Sequence, residues 1–267
     1  MMHIVAAAVV FLPVVAAAAG GAGAAQAPKP AGARGKRRTG KLDPSFLSAC
    51  AFVCVDLQPS GDGPPPSDIP DAWKRMGITL EDAHAAVEHH RRVCLPSARR
   101  VADACRSLGL PMVFLHWGYR FRDGMDLAPA IRKSLLEELG PDPRRWPHHI
   151  DAPDSRPAPE LGVREGEYVL PKTDQDAFTS SNLGFLLENL GVRRIVFVGG
   201  HAGACLGKTA ASARRRGYEI LCVTDATNDA AESRRMENLR ATGYHHLVTA
   251  EQFLALAEAA RRERAKD

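Results

Sequence analysis

Five short apolar runs, separated by stretches of helical character, limit what this chain can fold into more than any other feature. They are Ala49–Val55, Met112–Leu115, Tyr168–Leu170, Ile195–Val198 and Glu219–Thr224. Most are continuous rather than alternating, as strands buried on both faces of a sheet must be. The intervening segments carry helix punctuation. Thr79 with Asp82 makes a capping box for a helix reaching about Val93, and Pro96 starts or kinks a second piece that ends at Leu108-Gly109. Further helices are expected over 182–190, over 204–216 before Gly217, and over 229–242. Thr249 with Gln252 caps a last one reaching about Arg264, after a small edge strand at Leu247-Val248. Strand and helix in alternation argue an α/β fold, a parallel sheet with helices on both faces.

One long excursion interrupts the pattern, from Gly118 to Gly166. Within it Asp126 is placed to cap a helix with apolar positions Ile131, Leu135, Leu136 and Leu139, stopped by Gly140. The Pro-rich remainder suits a lid or substrate-covering segment, because loops this long in compact domains are usually functional or disordered.

The N-terminus stands apart. Ile4–Ala19 is Ala/Val-rich and is followed by small residues, so residues 1–25 read as a signal peptide cleaved before Gln26. A loose Ala-rich anchor and an upstream start codon on a cytoplasmic enzyme are the competing readings. Residues 26–48, rich in Pro, Gly and Lys/Arg, read as a linker, and 49–264 as the folded domain. The expected location is secreted or periplasmic, with no stable membrane insertion after processing. The basic run 34–41 more than accounts for the net charge of +4. With no basic face interleaved with aromatics, nucleic acid is not an expected partner. The cysteines lie mostly in strand or helix patterns and read as buried hydrophobes. No pair has zinc spacing, and no metal or other cofactor is expected.

Chemistry concentrates where strands end. Asp56, Lys172 and Cys205 each fall at or just beyond the carboxyl end of an expected strand, the edge where open α/β sheets bind ligands. Cys205 follows Gly199-Gly-His-Ala-Gly-Ala204 and opens a helix, whose unpaired amides favour a thiolate and lower its pKa. Asp56 can take the thiol proton, Lys172 can stabilise the thiolate, and the amides near Ala204 and Cys205 can hold an oxyanion. A rival lies in the same residues: Ala202-Gly-Ala-Cys-Leu-Gly207-Lys208-Thr209 is one Gly short of a P-loop. Too little chain follows Thr209 for a nucleotide-binding core, since each βαβ unit takes roughly 30 residues.

Val53-Cys-Val-Asp56-Leu-Gln58, Lys172 with Ala177-Phe178, Gly199–Ala210 and Gly217–Ala226 together resemble the isochorismatase-like cysteine hydrolases. The resemblance implies a three-layer α/β/α fold with a six-stranded parallel sheet. It also implies an Asp56-Lys172-Cys205 triad, a cis peptide at Gly200-His201, and hydrolysis of a small-molecule C–N bond through a thioester. Gln58, Phe178, His116 and Trp117 are candidate pocket residues. A homo-oligomer is expected. A vinyl ether hydrolase and a non-catalytic binding protein of the same fold remain the alternatives. The sequence His116–Asp123 lacks the repeated His of the metal-binding nicotinamidases in this family.

Overall fold

In a computed structural model, residues 42–59 and 67–266 are described. The expected signal peptide, residues 26–41 of the linker and residues 60–66 of the following loop lie outside them. Six parallel strands form one sheet: β1 (Cys50–Val55), β2 (Met112–Trp117), β3 (Tyr168–Lys172), β4 (Arg194–Gly199), β5 (Glu219–Thr227) and β6 (His246–Val248). Their spatial order is β3-β2-β1-β4-β5-β6, so the direction of winding reverses between β1 and β4. Ligands bind at the carboxyl ends of strands beside such a switch.

The continuous apolar strands follow from the layering. Phe52 and Cys54 of β1 face a core shared with α3 (Leu95–Ser107) and α9 (Ala250–Arg264). Ala51, Val53 and Val55 face the other way, onto α6 (Leu183–Asn189) and α7 (Cys205–Arg215). With period-two alternation and a helix layer on each side, every position of the strand is apolar.

Both expected capping boxes form, Thr79–Asp82 at α2 (Leu80–His89) and Thr249–Gln252 at α9. Other boundaries move. Residues 42–48 are not all linker, because a 3-10 turn at Pro44–Leu47 buries Phe46 and Leu47 in the core, and Arg264 holds the Leu47 carbonyl. Between α2 and α3 the helix does not break but passes through a π turn, His90–Cys94. A short helix, α1 (Asp71–Arg75), precedes α2 where no element is expected from sequence.

In the excursion, α4 (Pro129–Leu139) has Ala128 at its N-cap, not Asp126. Asp126 instead accepts the amides of Arg120 and Phe121, closing the turn before the helix. The segment packs around its own apolar cluster of Tyr119, Leu127, Ile131, Leu135 and Trp146. The rest of the α inventory is α5 (Ala177–Ser180) and α8 (Glu232–Thr242). No helix among the described residues is long and apolar enough to cross a membrane.

Candidate active site

The backbone turn after β4 is built from glycines that a side chain would disrupt. Gly199 has φ +119, and a Cβ there would lie 2.1 Å from the Val55 carbonyl oxygen. A Cβ on Gly200 would lie 1.6 Å from Asn228 Oδ1. Asn228 grips the turn from the β5 side, donating its amide to Gly199 O and accepting from Ala202 N. The Gly200-His201 peptide is cis. This path delivers Cys205 to the first residue of α7, at the switch point.

Asp56 arrives from the neighbouring strand, immediately after β1, with φ +51. That left-handed conformation is one Asp tolerates better than most residues. Lys172 ends β3 and reaches across, fully buried, to place Nζ 2.8 Å from Asp56 Oδ2. Nζ also donates to Asp174 O at 3.0 Å and lies 3.9 Å from the centre of the Trp117 ring, a cation–π contact. The ammonium meets the carboxylate off-axis: neither Asp56 oxygen has an aligned hydrogen-bond donor, and both are buried.

Burial opposes the charge on Lys172, yet the adjoining Asp56 and Cys205 outweigh it and raise its pKa. For Cys205 burial wins. It pushes the thiol up to about 12, with Lys172 pulling it down and Asp56 adding to the rise. The thiol is therefore not a resting thiolate, against the expectation from its place at a helix start. Desolvation in this site exceeds what the helix end and the ammonium return. The oxyanion expectation also narrows. Ala204 N–H donates to His201 O at 3.0 Å, whereas among the described residues no backbone carbonyl accepts from Cys205 N–H.

A cavity of about 250 Å³ opens over these groups. Its floor is Asp56, Gly200, His201, Gly203, Ala204 and Cys205. Its apolar walls come from Trp117, from Met76 and Ile78 beside α1, and from Leu127, Ile131 and Leu135 of the excursion. Burial lowers the pKa of His201, against the pull of Asp229 and Asp56. The His201 ring sits 6.4 Å from that of Trp73 in α1.

Of the expected pocket residues only Trp117 lines this cavity. Gln58 is buried behind it, accepting Trp117 N at 2.9 Å and donating to Asp154 O at 2.6 Å, so it ties the excursion to the ends of β1 and β2. His116 sits next to Trp117 but on the opposite face of the strand, away from the cavity and facing a separate cleft. Phe178 stacks near Tyr218 and Arg216 and does not line the cavity. Sequence reasoning did not find Met76, Ile78, Gln175, Asp229 or Lys208, all of which line it. Only Lys208 had a signal, as part of the P-loop-like run.

A six-stranded α/β protein with a cysteine, a carboxylate and a buried lysine gathered at its switch point is defined by these features. Residues 76–252 match the isochorismatase domain, and the chain belongs to the isochorismatase family. It is 26% identical over 164 residues to an uncharacterized isochorismatase family protein of Bacillus subtilis, covering 61% of this chain and 81% of that one. It is 26% identical over 180 residues to a ureidoacrylate amidohydrolase of Variovorax paradoxus, covering 61% of this chain and 66% of that one. A cysteine hydrolase from Pseudomonas syringae shares the fold, with TM-score 0.60 and 17% identity over 82% of this chain and 95% of that structure.

Proposed function

We propose that the protein is a cysteine-dependent hydrolase that cleaves a C–N bond of a small amide, ureide or carbamoyl compound through a thioester. The observation that carries this reading is the buried Asp56–Lys172 pair, 2.8 Å apart, beside Cys205 on the floor of a small cavity. Asp56 takes the Cys205 proton as sulfur attacks the carbonyl carbon, so thiolate forms only as it is used. The Cys205 amide donates to the developing oxyanion. Asp56 then passes the proton to the leaving nitrogen, and the C–N bond breaks to give an acyl thioester. Water next attacks the thioester and gives a proton to Asp56. The C–S bond breaks, and the thiolate recovers that proton. Lys172 stays charged throughout, offsetting whichever anion, carboxylate or thiolate, is present. The amidohydrolase name of the Variovorax relative supports the amide reading.

Cys205→Ala tests it. Hydrolysis across a panel of small amides and ureides should vanish, and a substrate-sized mass increment should be trapped on Cys205 of the unaltered protein. Turnover that survives the substitution rules the thioester route out.

A further inference from the structure

The run Gly207-Lys208-Thr209 leaves a residue that the proposed chemistry does not use. Thr209 is fully buried, donating its hydroxyl to Gln175 O at 3.2 Å and accepting Ala177 N at 3.1 Å, so it fastens α5 to α7. Lys208 is exposed and lines the cavity one helical turn beyond Cys205, on the same face of α7. Among the described residues no carboxylate pairs with it.

The other charges around the cavity are accounted for, including His148, whose Nδ1 lies 3.1 Å from Asp154 Oδ2. Asp56 is matched by Lys172. Asp229 accepts Gly203 N at 3.0 Å, Ala230 N at 2.8 Å and Asn238 Nδ2 at 2.7 Å. Arg234 donates to the carbonyls of Met76 and Gly77 at 2.8 and 3.1 Å, holding the turn that forms one wall. Asp229 and Arg234 balance in formal charge, and burial lowers the pKa of His201. One positive charge remains, at Lys208, beside walls that are otherwise largely apolar.

We infer that Lys208 is a specificity residue that binds a carboxylate on the substrate, so that the acyl compounds accepted at Cys205 are small anions. This inference rests on the proposed use of Cys205. An ammonium at the mouth pairs with the carboxylate while the rest of a short substrate lies on the apolar wall, with its carbonyl directed to the cysteine. An uncharged amide of equal size gains the wall but not the pair.

The experiment uses two thiol reagents that differ only in this charge, iodoacetate and iodoacetamide, on the full chain, with the label located at Cys205 by peptide mass. The ratio of the two alkylation rate constants cancels changes in thiol reactivity. Lys208→Gln is expected to lower the iodoacetate-to-iodoacetamide ratio at Cys205 by about fivefold, the scale of one partly exposed ion pair. Lys208→Arg should retain the ratio, and added salt should lower it in the unaltered protein and in Lys208→Arg but not in Lys208→Gln. An equal ratio in the unaltered protein and in Lys208→Gln overturns the inference, while leaving Cys205-dependent hydrolysis standing. Hydrolysis that persists in Cys205→Ala overturns the mechanism instead, so the two failures are distinct.

Discussion

The turn from Gly199 to Cys205 is flanked by two buried polar pairs that differ in charge and in what they face. On one side Asp56 and Lys172 form a salt bridge at 2.8 Å, and Asp56 lines the cavity. On the other, His90 Nδ1 accepts from Asn228 Nδ2 at 2.7 Å, and neither residue lines it. Burial holds His90 down to about 4, so this second pair is neutral at ordinary pH. Each pair contains polar atoms without an aligned partner: both Asp56 oxygens, His90 Nε2 and Asn228 Oδ1. At His90 and Asn228, which have no ion pair, such atoms cost about 1–3 kcal/mol each when shut from water. At Asp56 the deficit faces a space where a thiol proton can satisfy it. At His90 and Asn228 it is the cost of fitting an amide against Gly200, whose missing side chain makes the contact possible. One pair thus opens onto the cavity, and the other is shut away behind the turn.

The largest effect should come from breaking the charged pair. Lys172→Met leaves Asp56 buried and unpaired, which should destabilise the fold by about 3–5 kcal/mol. Hydrolysis should fall at least about a thousandfold, the scale of losing one member of a catalytic triad. The double variant Asp56→Asn/Lys172→Met should regain most of the stability in denaturant melts and none of the activity. His90→Gln, which removes half of the neutral pair, should keep hydrolysis within about tenfold. If it instead matched the loss in Lys172→Met while melting normally, the two sides of the turn would not differ as described.

A second test uses pH. A histidine whose pKa is about 6.5 unfolded and about 4 folded binds its proton more readily in the unfolded chain. Its contribution is complete above pH 6.5 and is lost as pH falls toward 4. The loss is on the order of 3 kcal/mol over that window. His89, His116 and His201 are lowered by burial too and act in the same direction. The difference between the unaltered protein and His90→Gln isolates one group. His90→Gln should be the less stable at pH 7 and should close the gap by pH 4. A constant gap would mean that His90 is not held neutral by its surroundings.

These pairs also show what was legible in the sequence. Asp56, Lys172 and Cys205 could be found because each follows an apolar run, and in a parallel sheet the ends of such runs share one edge. The Gly-rich turn was visible for a similar reason, since so many glycines in a row serve a backbone path. His90 gave no signal. It belongs to a π turn, and the helical pattern through Thr79–Leu108 contains nothing that fixes where a single extra residue is accommodated. Met76 and Ile78 were hidden because a wall made by a five-residue helix and its exit lacks enough periodicity to read. Gln58 and Phe178 were assigned to the pocket by resemblance. Gln58 sits beside Asp56 and is spent on backbone contacts, and Phe178 lies across α7 on Tyr218.

The smallest effect separates the two pairs through the thiol itself. Asp56 raises the Cys205 pKa by its negative charge, while Lys172 lowers it. Asp56→Asn keeps the shape and tolerates the left-handed backbone at φ +51, but removes that charge. The thiolate then becomes the counterion of Lys172, so the thiol pKa should fall from about 12. Each unit of fall gives about ten times more thiolate near neutral pH, but a less basic sulfur is about threefold less nucleophilic, so iodoacetamide should react about threefold faster per unit. Hydrolysis should be lost in the same variant, because no group remains to carry the proton to the leaving nitrogen. A nucleophile that becomes more reactive as its enzyme becomes inactive is expected only if Asp56 is the base. His90→Gln, with no charge to remove, should leave the pH–rate curve for alkylation where it was. An Asp56→Asn protein that alkylated more slowly would instead mean that the Asp56 charge is not what keeps Cys205 protonated.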